Sequence, residues 1–335
     1  MESSKVLILT EGSKEIGFGH ITRMLAIYEA FLEKNIRPKF IINGDNTILD
    51  LIKNTDHEVY NWLKEEKIFN EIQNSDIMII DSYLADFNFY KKISELVKLP
   101  VYYDDNNRLD YPRGIVVNGN IHAKDLNYPE KKDVIYLLGI EFLPIRKEFW
   151  HVKERNIREK VQKIMITFGG NDFRDLIPLI LKKIKDDYPE ELKRVIIGKG
   201  FNNIKEIERQ KDANTELIFY PDADKIKEIM LDSDIAISAA GQTLYELSIT
   251  GTPTIAIGVA DNQKGNINGF TKNNLIKFAG WWDDENLVIN LKKVLEELES
   301  FQLRKDISQK MQKLIDGKGV IRLVNELKNI KSILK

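Results

Sequence analysis

Short apolar runs alternate along this chain with segments whose apolar residues recur three and four positions apart. That alternation of a period of two with a period near 3.6 predicts strands and helices in turn, the pattern of a parallel α/β sheet. In the first half, strands are predicted at 6–10, 38–42, 57–60, 77–81, 101–104, 114–118 and 134–138. Helices fall between them at 21–34, 46–53, 63–73 and 87–96. A charged stretch over 146–163 then breaks the rhythm and reads as a helix plus a crossing segment. A second series follows, with strands at 163–167, 193–197, 216–219, 235–238 and 254–258 and helices near 174–187, 203–209, 223–231 and 243–250. The tail has helical spacing over 287–298 and 307–315, a break at Asp316-Gly317-Lys318-Gly319, and a last helix to about 334.

Two such series joined by a crossover predict two Rossmann-like domains facing a cleft, over residues 1–148 and 149–318. Residues 319–335 are expected to form a terminal helix that packs back across the hinge. The length of 335 residues agrees with two domains at ~100–200 residues each. Ligands of such open sheets bind outside the carboxyl ends of the strands, so the strand ends are where chemistry is sought.

Composition narrows the function classes. With 43% hydrophobic and 30% charged residues the chain is too apolar for disorder, and no apolar run approaches the ~20 residues of a membrane-spanning helix. A secretory signal pattern is not visible, so a cytoplasmic location is expected. The absence of cysteine removes disulfides, thiolate catalysis and thiolate metal sites, and four scattered histidines give no His-rich centre; no metal and no cofactor are expected. A formal net charge of −2 gives no global pull toward nucleic acid, and the lysines at 182, 183 and 185 read as one solvated helix face. Oligomeric state is left open.

Candidate chemistry gathers at four strand ends. Gly17-Phe18-Gly19-His20 follows the first strand, so His20 stands at a helix N-terminus, where backbone N–H groups favour an anion and disfavour a protonated imidazole nearby. The plainer reading of this turn is tight strand–helix packing. In the second half, Phe168-Gly169-Gly170-Asn171-Asp172 ends a strand with backbone that a ligand can approach, or equally a turn in which Asp172 is an N-cap. Ser238-Ala239-Ala240-Gly241-Gln242-Thr243 opens a further helix, with free N–H groups suited to a diphosphate. Glu246, one turn on, suits the two hydroxyls of a ribose, or is a helix-surface carboxylate. A fourth strand end carries Asp261-Asn262-Gln263.

These segments carry a resemblance. GFGHITR at 17–23, DSY at 81–83, LLGIEFLPIRKEF at 137–149, FGGND at 168–172, SAAGQTLYEL at 238–247 and DNQ at 261–263 resemble the nucleotide-sugar hydrolases of pseudaminic acid biosynthesis. Those enzymes remove UDP from UDP-2,4-diacetamido-2,4,6-trideoxy-β-L-altropyranose. The spore coat polysaccharide biosynthesis proteins belong to the same group, and both share the two-domain glycosyltransferase-B architecture. The resemblance implies that His20 activates water against the anomeric carbon, with inversion and loss of UDP. It implies sugar-side contacts from Gly17, Gly19, Tyr83, Asn118, Asn120, Asn262 and Gln263. Gly169, Gly170, Asn171, Ser238, Gly241, Gln242, Thr243 and Glu246 would hold UDP. Arg23 and Arg146 would shape the cleft or meet the pyrophosphate, unless each is a structural ion pair.

The chain departs from the family pattern in two places. Ser82 stands where a histidine is often found, and Asp104-Asp105 reads as a strand end with Asp105 as an N-cap, or as part of a metal site. Three other functions stay open beside UDP-sugar hydrolysis: transfer to an acceptor by a glycosyltransferase, a hydrolysing 2-epimerase, and a protein that holds a nucleotide sugar without turnover.

Overall fold

The computed structural model describes residues 5–333 apart from Glu15 and Asn74. The chain divides into two units, one made of residues up to Lys147 together with those from Gly317 onward, the other of Glu148–Asp316.

The first unit carries a seven-stranded parallel sheet: β1 (Val6–Gly12), β2 (Lys39–Gly44), β3 (His57–Val59), β4 (Ile77–Asp81), β5 (Leu99–Tyr103), β6 (Gly114–Asn118) and β7 (Val134–Leu138). Their order is β3-β2-β1-β4-β5-β6-β7. Every residue of β1 and of β4 is buried, which is why these strands read as unbroken apolar runs: helices cover both faces of a parallel sheet. Helices α1 (Gly19–Leu32), α2 (Leu49–Ile52), α3 (Lys67–Ile72) and α4 (Phe87–Leu96) supply that cover. Trp62 is fully buried, and its indole N–H donates to the Thr10 carbonyl at 2.8 Å, which fixes the turn leading into α3. This turn takes up the residues before Lys67, so α3 is shorter than its apolar spacing suggests.

The second unit has β8 (Lys163–Thr167), β9 (Leu192–Ile197), β10 (Thr215–Phe219), β11 (Ile235–Ala239), β12 (Thr254–Gly258) and β13 (Lys277–Trp281) in the order β10-β9-β8-β11-β12-β13. Its helices are α5 (Leu176–Asp187), α6 (Ile204–Gln210), α7 (Ala223–Asp232), α8 (Thr243–Ile249), α9 (Lys264–Lys272), α10 (Leu287–Leu298) and α11 (Phe301–Leu314). Both β13 and α9 are additions to the sequence reading.

The charged stretch 146–163 does not form the expected α-helix. A 3₁₀ turn at Lys147–Phe149 is followed by backbone without helix or strand up to β8. Its arginines and a neighbouring one take backbone carbonyls as partners: Arg155 donates to Met230, Arg158 to Asp232, and Arg304 to the carbonyls of Arg158 and Glu159 at 2.9 and 2.7 Å. Arg304 is wholly buried, and burial pushes its guanidinium pKa down. Its hydrogen bonds offset that desolvation and hold 158–159 in a non-helical path.

The chain then returns to the first unit. Helix α12 (Gly319–Ile333) packs on α1 and on the 3₁₀ turn Ile140–Phe142. A Cβ at Gly319 would come within 2.5 Å of the Leu143 carbonyl oxygen, so the helix start has room only for glycine. Arg322 donates to the Glu141 carbonyl, and Lys331 pairs with Asp76 at 2.9 Å.

Candidate functional site

In each sheet the strand order reverses direction once, between β1 and β4 in the first unit and between β8 and β11 in the second. A crevice opens at such a reversal, outside the carboxyl ends of the two strands, because the following connections leave to opposite sides. The motifs at 17–23, 81–83, 168–172 and 238–247 fall at these two places, while those at 137–149 and 261–263 follow β7 and β12.

In the first unit, His20 is the second residue of α1 and is 9% exposed. Phe18 caps the helix without a side-chain acceptor, which leaves first-turn N–H groups available. Gly17 has φ +89°, and its N–H closes the loop on the Ser13 carbonyl. Gly19 has no such backbone reason, and a Cβ there would meet nothing within 4 Å. The missing side chain leaves open space beside the histidine.

Asp81 ends β4, is fully buried, and lies 2.8 Å from Nδ1 of His20. A carboxylate only accepts, so this contact fits the neutral tautomer with its proton on Nδ1, which leaves the Nε2 lone pair for a proton from outside. Arg23, one turn along α1, donates through Nε and Nη2 to Asp81 and through Nη1 to both oxygens of Asp105 at 2.9 and 2.8 Å. Its guanidinium also lies 4.2 Å from the centre of the Tyr103 ring. Arg23 is therefore held in an internal ion-pair cluster with Asp81 and Asp105. Asp105 further accepts from the Tyr83 hydroxyl at 2.5 Å and from Asn120 Nδ2 at 2.9 Å. The Tyr83 ring, 47% exposed, stands edge-on to the His20 ring at 4.6 Å.

Asp105 is not the N-cap that the sequence suggested. Tyr103 and Asp105 point to one side of the end of β5 and meet Arg23, while Tyr102 and Asp104 point to the other, as the strand period of two requires. Asp104 is the capping group, accepting from the N–H groups of Asn107 and Arg108 and from the hydroxyls of Tyr111 and Tyr128. Among the described residues no group of three or more His, Asp or Glu side chains is placed to hold a metal ion.

Two residues that the sequence reading left without a role complete the arrangement. Asp81 orients His20. Glu11, 1% exposed at the end of β1, accepts from the Ser82 hydroxyl at 2.5 Å and from the Tyr83 N–H at 2.7 Å. Ser82 thus has a structural use, its hydroxyl donating to Glu11 and accepting from the N–H groups of Leu84 and Ala85. Asn118 accepts from the Asn120 N–H and donates to Tyr128, so it shapes the loop that presents Asn120. Arg146 is half-buried just before the 3₁₀ turn at Lys147–Phe149.

The electrostatics of Asp105 have a measurable consequence. Burial alone would raise its pKa, but the Arg23 charge and the hydrogen bonds from Tyr83, Arg23 and Asn120 outweigh burial and hold it at about 2. The folded value is below the unfolded one near 3.9, so the stabilisation is present above about pH 4 and lost as pH falls toward 2. Urea denaturation across that window is expected to show a fall in stability on the order of 2 kcal/mol that Asp105→Asn removes. An unchanged acid slope in that variant would refute this origin.

In the second unit, Gly169 (φ +73°) and Gly170 follow β8, and a Cβ on either would meet nothing within 4 Å. Asn171 is half-buried, with its side-chain oxygen buried and unpartnered. Asp172 takes the structural reading: it accepts from the N–H groups of Leu176 and Ile177 at the start of α5 and from Asn203, and burial pushes its pKa up. Across the reversal, Ser238 is buried and its hydroxyl donates to the Ala239 carbonyl, so the side chain is engaged within its own strand end. Gly241, Gln242 and Thr243 are at least partly accessible at the start of α8, whose cap residue Gln242 makes no side-chain cap. Glu246 is 7% exposed on that helix, which is not the helix-surface setting. Gln263, after β12, accepts from the Val259 N–H, and its Nε2 lies 3.8 Å from where a Gly241 Cβ would be. Asn262 beside it is exposed.

Comparison with known proteins agrees with this organisation. Residues 163–319 match the Glycosyltransferase family 28 C-terminal domain. The spore coat polysaccharide biosynthesis protein SpsG of Bacillus subtilis is 22% identical over 96% of this chain and 97% of its own length. The UDP-2,4-diacetamido-2,4,6-trideoxy-beta-L-altropyranose hydrolase of Campylobacter jejuni is 24% identical over 78% of this chain and 93% of its own length. An uncharacterized protein of Methanocaldococcus jannaschii is 26% identical over 76% of this chain, which spans only about half of that relative (55%). Among solved structures, Acinetobacter baumannii MurG superimposes with a TM-score of 0.71 at 12% identity, covering 97% of this chain and 99% of that one. The fold is the glycosyltransferase-B fold, and in sequence the chain is similar to these hydrolases and spore coat proteins.

Proposed function

We propose that this protein is a nucleotide-sugar hydrolase that releases UDP from a UDP-activated 2,4-diacetamido-2,4,6-trideoxy hexose, in a nonulosonic acid or surface polysaccharide pathway. The observation that carries this reading is the His20–Asp81 pair at the reversal of the first sheet, with Nδ1 engaged and Nε2 available. In the proposed reaction water attacks the anomeric carbon while Nε2 takes its proton. The new C–O bond forms as the bond from that carbon to the diphosphate oxygen breaks, and the electron pair leaves with UDP. Attack from the face opposite the leaving group inverts the anomeric centre.

Asp81 keeps the ring in the useful tautomer and stabilises the imidazolium as it forms. The charges around His20 suit this step: Asp81, Asp105 and Arg23 sum to −1 with the imidazole neutral and to zero once it is protonated. In the second unit the open backbone at Gly169-Gly170 and the start of α8 would bind the diphosphate, and Glu246 the ribose.

Hydrolysis in ¹⁸O-labelled water tests the reading. One label is expected in the anomeric hydroxyl of the sugar and none in UDP, with inversion seen by proton NMR and no acceptor needed. Label in UDP would mean P–O cleavage and overturn the mechanism. UDP release that waits for an added acceptor would make the protein a glycosyltransferase, epimerised sugar in the product a 2-epimerase, and binding without release a nucleotide-sugar carrier.

A further inference from the structure

The contacts around His20 close on themselves. His20 meets Asp81 at 2.8 Å, Asp81 meets Arg23 at 2.5 Å, Arg23 meets Asp105 at 2.8 Å, the Tyr83 hydroxyl reaches Asp105 at 2.5 Å, and the Tyr83 ring returns to His20 at 4.6 Å. One link in this ring competes with the useful tautomer. Arg23 Nη2 lies 3.0 Å from His20 Nδ1 as well as 2.5 Å from Asp81. A guanidinium only donates. If it donated to Nδ1, the ring proton would move to Nε2 and no lone pair would face the reaction.

We propose that Asp105 is a positioning residue that prevents this by pinning Arg23. Asp105 takes both of its hydrogen bonds through Nη1, the far arm of the fork, so the planar guanidinium is fixed with Nε and Nη2 directed at Asp81. Asp105 is itself fixed from two further directions by Tyr83 and Asn120, which come from the loops after β4 and β6. With its side chain 15% exposed, against 13% for Arg23, neither charge is screened by bulk water as a surface pair would be. Remove the Asp105 charge, and Arg23 must satisfy its cation on Asp81 alone, with Nη1 released and Nη2 free to swing toward Nδ1. This inference rests on His20 acting as the base of the proposed reaction, but its structural half concerns the tautomer and stands apart from any substrate.

The experiment is ¹⁵N NMR of the His20 ring, where two-bond correlations tell Nδ1–H from Nε2–H, in parallel with UDP release by the full chain. Wild type is expected in the Nδ1–H form. Asp105→Asn is expected to shift the ring toward Nε2–H, with kcat down about 30-fold and KM within about threefold. Arg23→Met/Asp105→Asn, which deletes the competing donor together with its restraint, is expected to recover the Nδ1–H form and at least about tenfold of the lost kcat. If Asp105→Asn alone does not fold, the double variant decides on its own tautomer. An unshifted tautomer in Asp105→Asn, or a double variant without the Nδ1–H form, overturns the proposal. Wild-type protein that shows the predicted tautomers yet releases no UDP from any UDP-sugar would leave the positioning intact and remove the reaction instead.

Discussion

His20→Ala is expected to lower UDP release by about 10³-fold or more while leaving UDP affinity within about twofold. The size follows from the role: a positioned general base contributes roughly 10² to 10⁴, and here the same group also receives the charge that the Asp81–Asp105–Arg23 cluster is arranged to balance. The unchanged affinity follows from the division of labour, since the proposed contacts to UDP belong to the strand ends of the second unit. His20→Asn separates base from shape, because an amide fills much of the same volume and does not accept the proton. Calorimetric titration with UDP and a coupled assay of UDP release measure the two quantities. Near-normal turnover in either variant would remove His20 from the mechanism, and a parallel loss of UDP binding would make it a nucleotide contact.

The sheets were legible because fully buried parallel strands are written as unbroken apolar runs, as in residues 6–9 of β1 and 77–80 of β4. Elements with mixed signals were not. Helix α9 carries Gly265, Asn266, Asn268 and Gly269, poor helix formers whose placement is decided by packing of Ile267 and Phe270. Strand β13 contains Gly280 at φ +134°, and its register on β12 shifts between Ala256 and Ile257, so neither propensity nor strict alternation marks it. In the site, GFGH was readable because a strand, a glycine turn and a helix are contiguous. Its partners were not, because Asp81 is 61 residues from His20 and Asp105 is 82 from Arg23. They meet only through the order β1-β4-β5 in the sheet. Likewise, adjacent aspartates at 104 and 105 look like one feature in a sequence, yet the pleat sends them to opposite sides.

Asp81→Asn is expected to cut kcat by about 10² to 10³-fold with little change in KM, and to cost stability as well. The kinetic part arises because an amide offers both an acceptor and a donor to Nδ1. Rotated one way it preserves the useful tautomer, and rotated the other it selects the wrong one; in neither case does it stabilise the imidazolium as a carboxylate does. Replacement of a carboxylate that orients a catalytic histidine costs up to about 10⁴ in other systems, and here Asp105 retains one negative charge nearby, which favours a smaller loss. The stability part arises because Asp81 is fully buried and accepts from both His20 and Arg23. Without it the guanidinium keeps Asp105 and loses its other anion, a deficit of about 1–3 kcal/mol. Urea denaturation and steady-state kinetics on the same preparation distinguish the two parts. A variant with kcat within about fivefold of wild type would mean that the histidine needs no orienting carboxylate, whatever the stability change; a large kinetic loss with full stability would mean that Asp81 acts on the reaction without holding Arg23.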